Sequence, residues 1–179
     1  MTLIPRFMVV LDQAGCLLPI TEVAREAIAG GADMLQIREK ALPDADLREE
    51  IEAIIKAVGG PERIAINGRP DLAEEYGTHL HLPESMPFPP DLPWEHRLIG
   101  RSVHLPIGPL DPGLRYLILG PVMRTASKPD AAGIGLTGLT SASANLNLPV
   151  LAIGGMQADQ IKGVLDAGTY GVAVRSTVI

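Results

Sequence analysis

Eight short apolar runs recur along the chain, "RFMVVL", "MLQIRE", "RIAIN", "HLHLP", "RLIGRSVH", "RYLILGPV", "LPVLAIGG" and "YGVAVRS", and amphipathic segments separate most of them. Several runs are continuous in Val, Ile and Leu, the pattern of parallel strands covered on both faces. The intervening segments read as helices. "ITEVAREAIAGG" sets Val23, Ala24, Ala27 and Ile28 on one stripe and stops at Gly30 and Gly31, a common helix end. "PDADLREEIEAIIKAVGG" repeats the design, with Pro43 and Asp44 near its start and Gly59 after its last apolar residue, and "QADQIKGVLDAG" precedes the last run. Strand, helix and strand in succession require right-handed crossovers and a parallel sheet. Eight such strands predict an α/β fold, a closed (β/α)8 TIM barrel.

Two places depart from that ideal. After His104 the segment "LPIGPLDPGL" carries Pro106, Pro109 and Pro112 with two glycines, so the helix between strands 5 and 6 is expected to be reduced to a loop. The second is the C-terminus: the sequence reaches Ile179 directly after the eighth strand, so no closing C-terminal helix is expected. The flank so exposed needs cover, and a homodimer contact is one way to supply it. "MPFPPDLPWEHR", residues 86–97, reads as a stiff surface connection between strands 4 and 5, in preference to a proline-motif ligand.

At 179 residues and 46% hydrophobic, the chain suits one core and is short for two domains; residues 1–179 are read as a single domain. Aromatic content of 3% argues against a platform for stacking nucleic-acid bases. A net charge of -6 argues against a general polyanion surface, so any anion site must be local. The lone Cys16 has no disulfide or redox partner, as in a reducing cytoplasm. Asp12 interrupts the first apolar run well before the roughly 18 residues a membrane span needs. A cytoplasmic protein with no membrane or nucleic-acid partner is expected.

In a parallel barrel the active site lies at the C-terminal ends of the strands. The polar residues there are Gln36, Arg38 and Lys40; Asn67 and Arg69; His81 and Glu84; Ser102 and His104; Thr125, Ser127 and Lys128; and Gly154, Gly155, Arg175 and Ser176. Alternation along "QIREK" sends Gln36, Arg38 and Lys40 to one side and Ile37 and Glu39 to the other. Two cations on one side suit an anionic ligand or a salt-bridge cluster with a carboxylate such as Asp12. "AIGGM" closes strand 7 and leads into a helix near Gln157, where glycines and free amides can hold phosphate. A tight turn uses the same letters, but barrel phosphate sites form after strands 7 and 8. Arg175 and Ser176 are placed to complete such a site. The loop "RTASKPDAAGIG", with Lys128, Gly133 and Gly135, has the composition of a lid or of a mobile surface loop. His79 and His81 share a strand face without a third ligand beside them, so no metal site is assigned.

Taken in order, "QIREK", "INGRPDLA", "HLHLP", "IGRSVH", "ILGPVMRTASK", "LPVLAIGGM" and "GVAVRS" resemble the thiamine phosphate synthase and TenI superfamily of barrels, over nearly the whole chain. The synthases join a pyrimidine diphosphate to a thiazole phosphate using magnesium. Their pattern has an Asp directly after the strand-3 Asn and another in the motif following strand 4; here those places hold Gly68 and Met86 or its neighbours, with Glu84 as a substitute ligand. A diphosphate leaving group needs its charge neutralised, usually by magnesium on carboxylates. "NGR", "LP" and "GRSVH" instead resemble the TenI branch, the thiazole tautomerases, which aromatise a thiazole carboxylate phosphate and need a proton carrier and no metal.

That resemblance gives His104 the catalytic role, and an imidazole suits proton transfer in both directions near neutral pH. It also implies that Gly155 and Ser176 hold the thiazole phosphate through backbone amides, and that Gln36, Arg38, Asn67, Ser102, Thr125 and Lys128 line the ligand pocket. Lys40 matches a synthase diphosphate contact. Arg175 replaces the small or apolar residue usual beside that Ser, a change that either strengthens the phosphate grip or obstructs it. Three readings follow: a tautomerase without cofactor acting on a small phosphorylated thiazole, a thiamine phosphate synthase with an altered magnesium site, and a non-catalytic thiazole-phosphate binder.

Overall fold

The computed structural model describes residues 3–89, 97–125 and 132–175. Eight parallel strands close into a barrel in chain order: β1 Phe7–Leu11, β2 Met34–Ile37, β3 Ile64–Asn67, β4 His79–Leu82, β5 Ile99–Val103, β6 Tyr116–Leu119, β7 Val150–Ile153 and β8 Gly171–Val174. Closure is made by β1 against β8, with Phe7 opposite Val172 and Val9 opposite Val174. The helices are α1 Ile20–Ala29, α2 Asp44–Val58, α3 Pro70–Glu75, α4 Gly135–Ala144 and α5 Ile161–Asp166. The (β/α)8 expectation therefore holds, including the loop in place of a helix between β5 and β6.

Each strand sends alternate side chains to opposite faces. One set, including Val9, Leu35, Ile66 and Leu117, packs with Val23 and Ala24 of α1 and Ile51 and Ile54 of α2 in the larger core cluster. The other set fills the barrel with Met8, Met34, Ala65, Tyr116, Ile118, Leu151 and Ala173. Both faces are thus dry, which is why the strands read as unbroken apolar runs. The first two helices follow their sequence signals: α2 has Asp44 and Asp46 in its first turn, Lys56 in its last, and Gly59 left-handed at its C-cap, charges that complement the helix dipole.

Two helices went unread in the sequence. α3 has six residues and buries only Leu72 and Ala73. α4, "GLTGLTSASA", is rich in Gly, Ser and Thr, poor helix formers, and packs through Leu139 and Ala142. Its start at Gly135 corrects the placing of that glycine in the loop after strand 6, read as a lid or a surface loop, of which residues 126–131 lie outside the described residues. The segment after β7 is also divided, a 3-10 turn at Ala158–Gln160 running into the short α5. No helix among the described residues is long and apolar enough to cross a membrane. Residues 90–96 of the proline-rich connection and 176–179, which bear on the expectation of an uncovered flank, lie outside the described residues.

Candidate active site

The strands' C-terminal ends open into one cavity of about 700 Å³. Gln36, Arg38 and Lys40 line it with Asn67, Ser102, His104 and Thr125, as do Gly154, Gly155 and Arg175. The strand-end reading thus brought these ten residues together. Ser127, Lys128 and Ser176 lie outside the described residues.

His104 directly follows β5 at the rim. Its Nδ1 lies 2.7 Å from Glu84 Oε2, and its backbone N–H donates to Oε1 of the same carboxylate at 2.9 Å. An ionised carboxylate only accepts, so this pairing puts a proton on Nδ1 and holds the Glu84 carboxylate to His104 at two points, one on the ring and one on the backbone. Glu84 is in turn held by its own backbone. Arg101, which points out of the barrel and is almost fully buried, donates to the carbonyls of Glu84 at 3.0 Å, Met86 at 2.7 Å and Pro83 at 3.5 Å, and to Asp111 Oδ2 at 3.1 Å. One guanidinium thereby ties the loop after β4 to the loop after β5. Sequence reading missed both partnerships, because Glu84 and Arg101 meet His104 and the loop only through the barrel's register.

The cations of the cavity wall differ in kind. Arg175 faces the cavity, but its Nε donates to Oδ2 of buried Asp12 at 2.5 Å. An ion pair with Asp12, one of the two alternatives left open for Arg38 and Lys40, is made instead by Arg175. Arg38 is half-buried and enters no ion pair among the described residues. Burial, and then the nearby Arg175 charge, pull its pKa down, with Asp12 opposing, so this guanidinium would gain from an anion. Glu39 also lines the cavity: β2 ends at Ile37, and alternation does not extend to it, contrary to the sequence expectation. Arg69 is bound to Asp44 and Asp71 and staples the starts of α2 and α3 together.

Beneath the mouth, Gln36 Nε2 donates to Asn67 Oδ1 at 3.1 Å. His81 is buried inside the barrel, with Nε2 at 2.9 Å from Ser102 Oγ and Nδ1 at 3.3 Å from the Tyr116 hydroxyl. Burial, with the Arg38 and Arg101 charges adding, pushes the His81 pKa down to about 3. His79 is engaged with Glu62 O and Leu98 N, a structural role. Gly154 and Gly155 both have positive φ, and a β-carbon on either would strike Pro121 or Arg124 at 2.9 and 2.4 Å. The pair is thus required by packing against the loop after β6 as well as by any ligand. The backbone N–H of Gln157, at the expected helix start, is taken by Gln160 Oε1, which removes it from phosphate binding.

Magnesium takes oxygen donors, typically one or two carboxylates beside substrate phosphates. The carboxylates of the cavity wall are Glu39 and Glu84, the first bound to the Gln13 backbone N–H and the second to His104. Position 68 is glycine, with no donor. Among the described residues no group of three or more His, Cys, Asp and Glu is placed to hold a metal ion. This donor set does not fit a magnesium ion held by two carboxylates.

Comparison with known proteins agrees with the geometry at the level of family. The family described as thiamine monophosphate synthase, TMP-TENI, matches residues 7–178. The thiamine-phosphate synthase of Moorella thermoacetica is 34% identical over 189 residues, spanning 97% of this chain and 87% of that protein. That of Methanoculleus marisnigri is 38% identical over 173 residues, spanning 89% and 80%. Among solved structures, the thiamine phosphate pyrophosphorylase of Pyrococcus furiosus superposes with a TM-score of 0.71 at 30% identity, covering 96% of this chain and 85% of that one. These names are those of the synthase, the second of the sequence readings; none of them speaks of a tautomerase.

Proposed function

This chain belongs to the thiamine monophosphate synthase and TenI family, and from that premise we propose that it is a thiazole tautomerase, aromatising a thiazole carboxylate phosphate by proton transfer through His104. The observation that carries this reading is the His104–Glu84 pair at the cavity rim. With Nδ1 held by a carboxylate, transfer to and from the ligand falls to Nε2. The base removes a proton from one carbon and returns it to another; no leaving group departs and nothing is oxidised. Glu84 offsets the charge the ring gains while it carries the proton. Half-buried Arg38 is suited to the ligand's anionic end, and Gly154, Gly155 and Ser176 are the proposed phosphate contacts.

The test is His104→Asn, expected to lose about two to four orders of magnitude of tautomerisation rate while product binding survives. Undiminished turnover overturns the proton-carrier role. Ligand binding by calorimetry without turnover in the native protein identifies a non-catalytic binder.

A second reading, thiamine phosphate synthase, is favoured by the names of the relatives and by Lys40 on the cavity wall. It predicts thiamine phosphate formation from a pyrimidine diphosphate and a thiazole phosphate, abolished by a chelator. The engaged state of Glu39 and Glu84 weighs against it. Coupling that depends on magnesium replaces the tautomerase reading.

A further inference from the structure

Below the cavity a line of three polar side chains runs from the barrel interior toward the ligand space: Tyr116 on β6 and His81 on β4, both fully buried, and Ser102 on β5, which lines the cavity. The contact between β6 and β4 passes across β5 because Gly100, which pairs with both Tyr116 and His81 in register, leaves the space that the phenol ring fills. We propose that Tyr116 and His81 lock Ser102 as a hydrogen-bond donor into the cavity, so that the ligand group docked there presents a lone pair, as a carboxylate oxygen or an sp2 ring nitrogen does, and not an N–H.

A neutral imidazole carries one N–H and one bare nitrogen. If Nδ1 carries the proton, it donates to the Tyr116 oxygen, Ser102 donates to Nε2, and the phenol proton has no acceptor. Tyr116 is fully buried, and among the described residues His81 is the partner its hydroxyl has. If instead Nε2 carries the proton, the phenol donates to Nδ1, Nε2–H donates to Ser102 Oγ, and the serine proton turns to the open cavity, where a ligand or water accepts it. The first arrangement strands a buried donor and the second strands nothing, which favours the second by roughly tenfold to a hundredfold. The protonated imidazole is not a competing state near neutral pH, because burial beside Arg38 and Arg101 keeps the ring neutral. The phenol likewise keeps its proton, its pKa raised by burial.

Tyr116 and His81 touch no ligand and act as positioning residues. The preference at Ser102 rests on the cavity being the ligand site proposed above, whereas the tautomer does not.

The full chain labelled with 15N-histidine and observed by long-range proton–nitrogen correlation near neutral pH should show His81 as the Nε2–H tautomer; an Nδ1–H signature overturns the lock. Tyr116→Phe keeps the ring's volume and removes the phenol donor, so the tautomer is expected to become mixed. An unchanged pure Nε2–H signal in that variant overturns the role of Tyr116, and if the variant does not fold, the native spectrum still decides. With a thiazole carboxylate phosphate as the calorimetric probe, Ser102→Ala should weaken binding about tenfold and Ser102→Thr should restore most of it; equal affinity in the alanine variant overturns the assignment of Ser102 as donor. A failed tautomerase assay beside an Nε2–H spectrum removes the proposed function and leaves the lock standing.

Discussion

The phenol ring of Tyr116 lies over Gly100: a β-carbon at position 100 would sit 2.1 Å from Tyr116 Cζ, and the two residues face each other in the β5–β6 register. Such a distance admits no methyl group, and the ring, buried on all sides, has nowhere to move.

Gly100→Ala is therefore expected to overpack the barrel interior, costing about 1–3 kcal/mol and lowering the melting temperature by roughly 2–4 °C for each kcal/mol in a chain of this size. Thermal unfolding followed by circular dichroism checks this. An unchanged Tm would mean that the ring is not confined there.

Arg101 satisfies carbonyls of the loop that carries Glu84. Arg101→Met leaves them without a donor, at an expected cost of about 2–4 kcal/mol in denaturant unfolding. Tautomerisation should lose rate with little change in KM, since Glu84 no longer holds the His104 ring but the ligand contacts remain. Arg101→Lys should recover only part, because an ammonium cannot reproduce the planar fork.

Arg38 and Arg175 are neighbours with different duties. Arg38→Ala should leave stability nearly unchanged and weaken binding of a thiazole phosphate about 10- to 100-fold, read by calorimetry. Arg175→Ala should instead destabilise the fold by about 2–4 kcal/mol, because Asp12 is left as a buried charge without its counterion.

Two groups tilt the dependence of stability on pH in opposite directions. The folded-state pKa of His81 is depressed to about 3, so the unfolded chain binds the extra proton, and stability falls as pH drops from about 6.5 toward 3. Glu50 is raised to about 7 by burial, with Glu39 and Asp12 adding; here the folded state binds the proton more tightly, and stability falls as pH rises from about 4.5 through 7. Glu50→Gln should accordingly raise Tm at pH 8 and shift it much less at pH 4.5, measured as paired melting curves.

Much of this architecture was legible in the sequence because it depends on period. Runs such as "RFMVVL" and "LPVLAIGG" announce strands buried on both faces, and the strand-end rule then gathers Gln36, Arg38, Asn67, Ser102 and His104 around one cavity. What stayed hidden depends on register and on sites distant along the chain. Nothing in the letters says that Glu84 lies beside His104, that Asp12 takes Arg175 in place of Arg38, or that Tyr116 reaches His81 over a glycine. α4 escaped for another reason: packing, and not propensity, holds "GLTGLTSASA" in a helix.

In β5, consecutive residues take turns on opposite faces: Gly100 yields space within the barrel, Arg101 anchors the outer loops, and Ser102 opens on the ligand side. An insertion or deletion of one residue here would swap the inward and outward sets at a stroke, burying a guanidinium in the barrel and turning the serine toward the helices. This stretch should therefore accept conservative exchange at Val103 while rejecting every change of length, a constraint that the loop of residues 105–115 beyond it does not share.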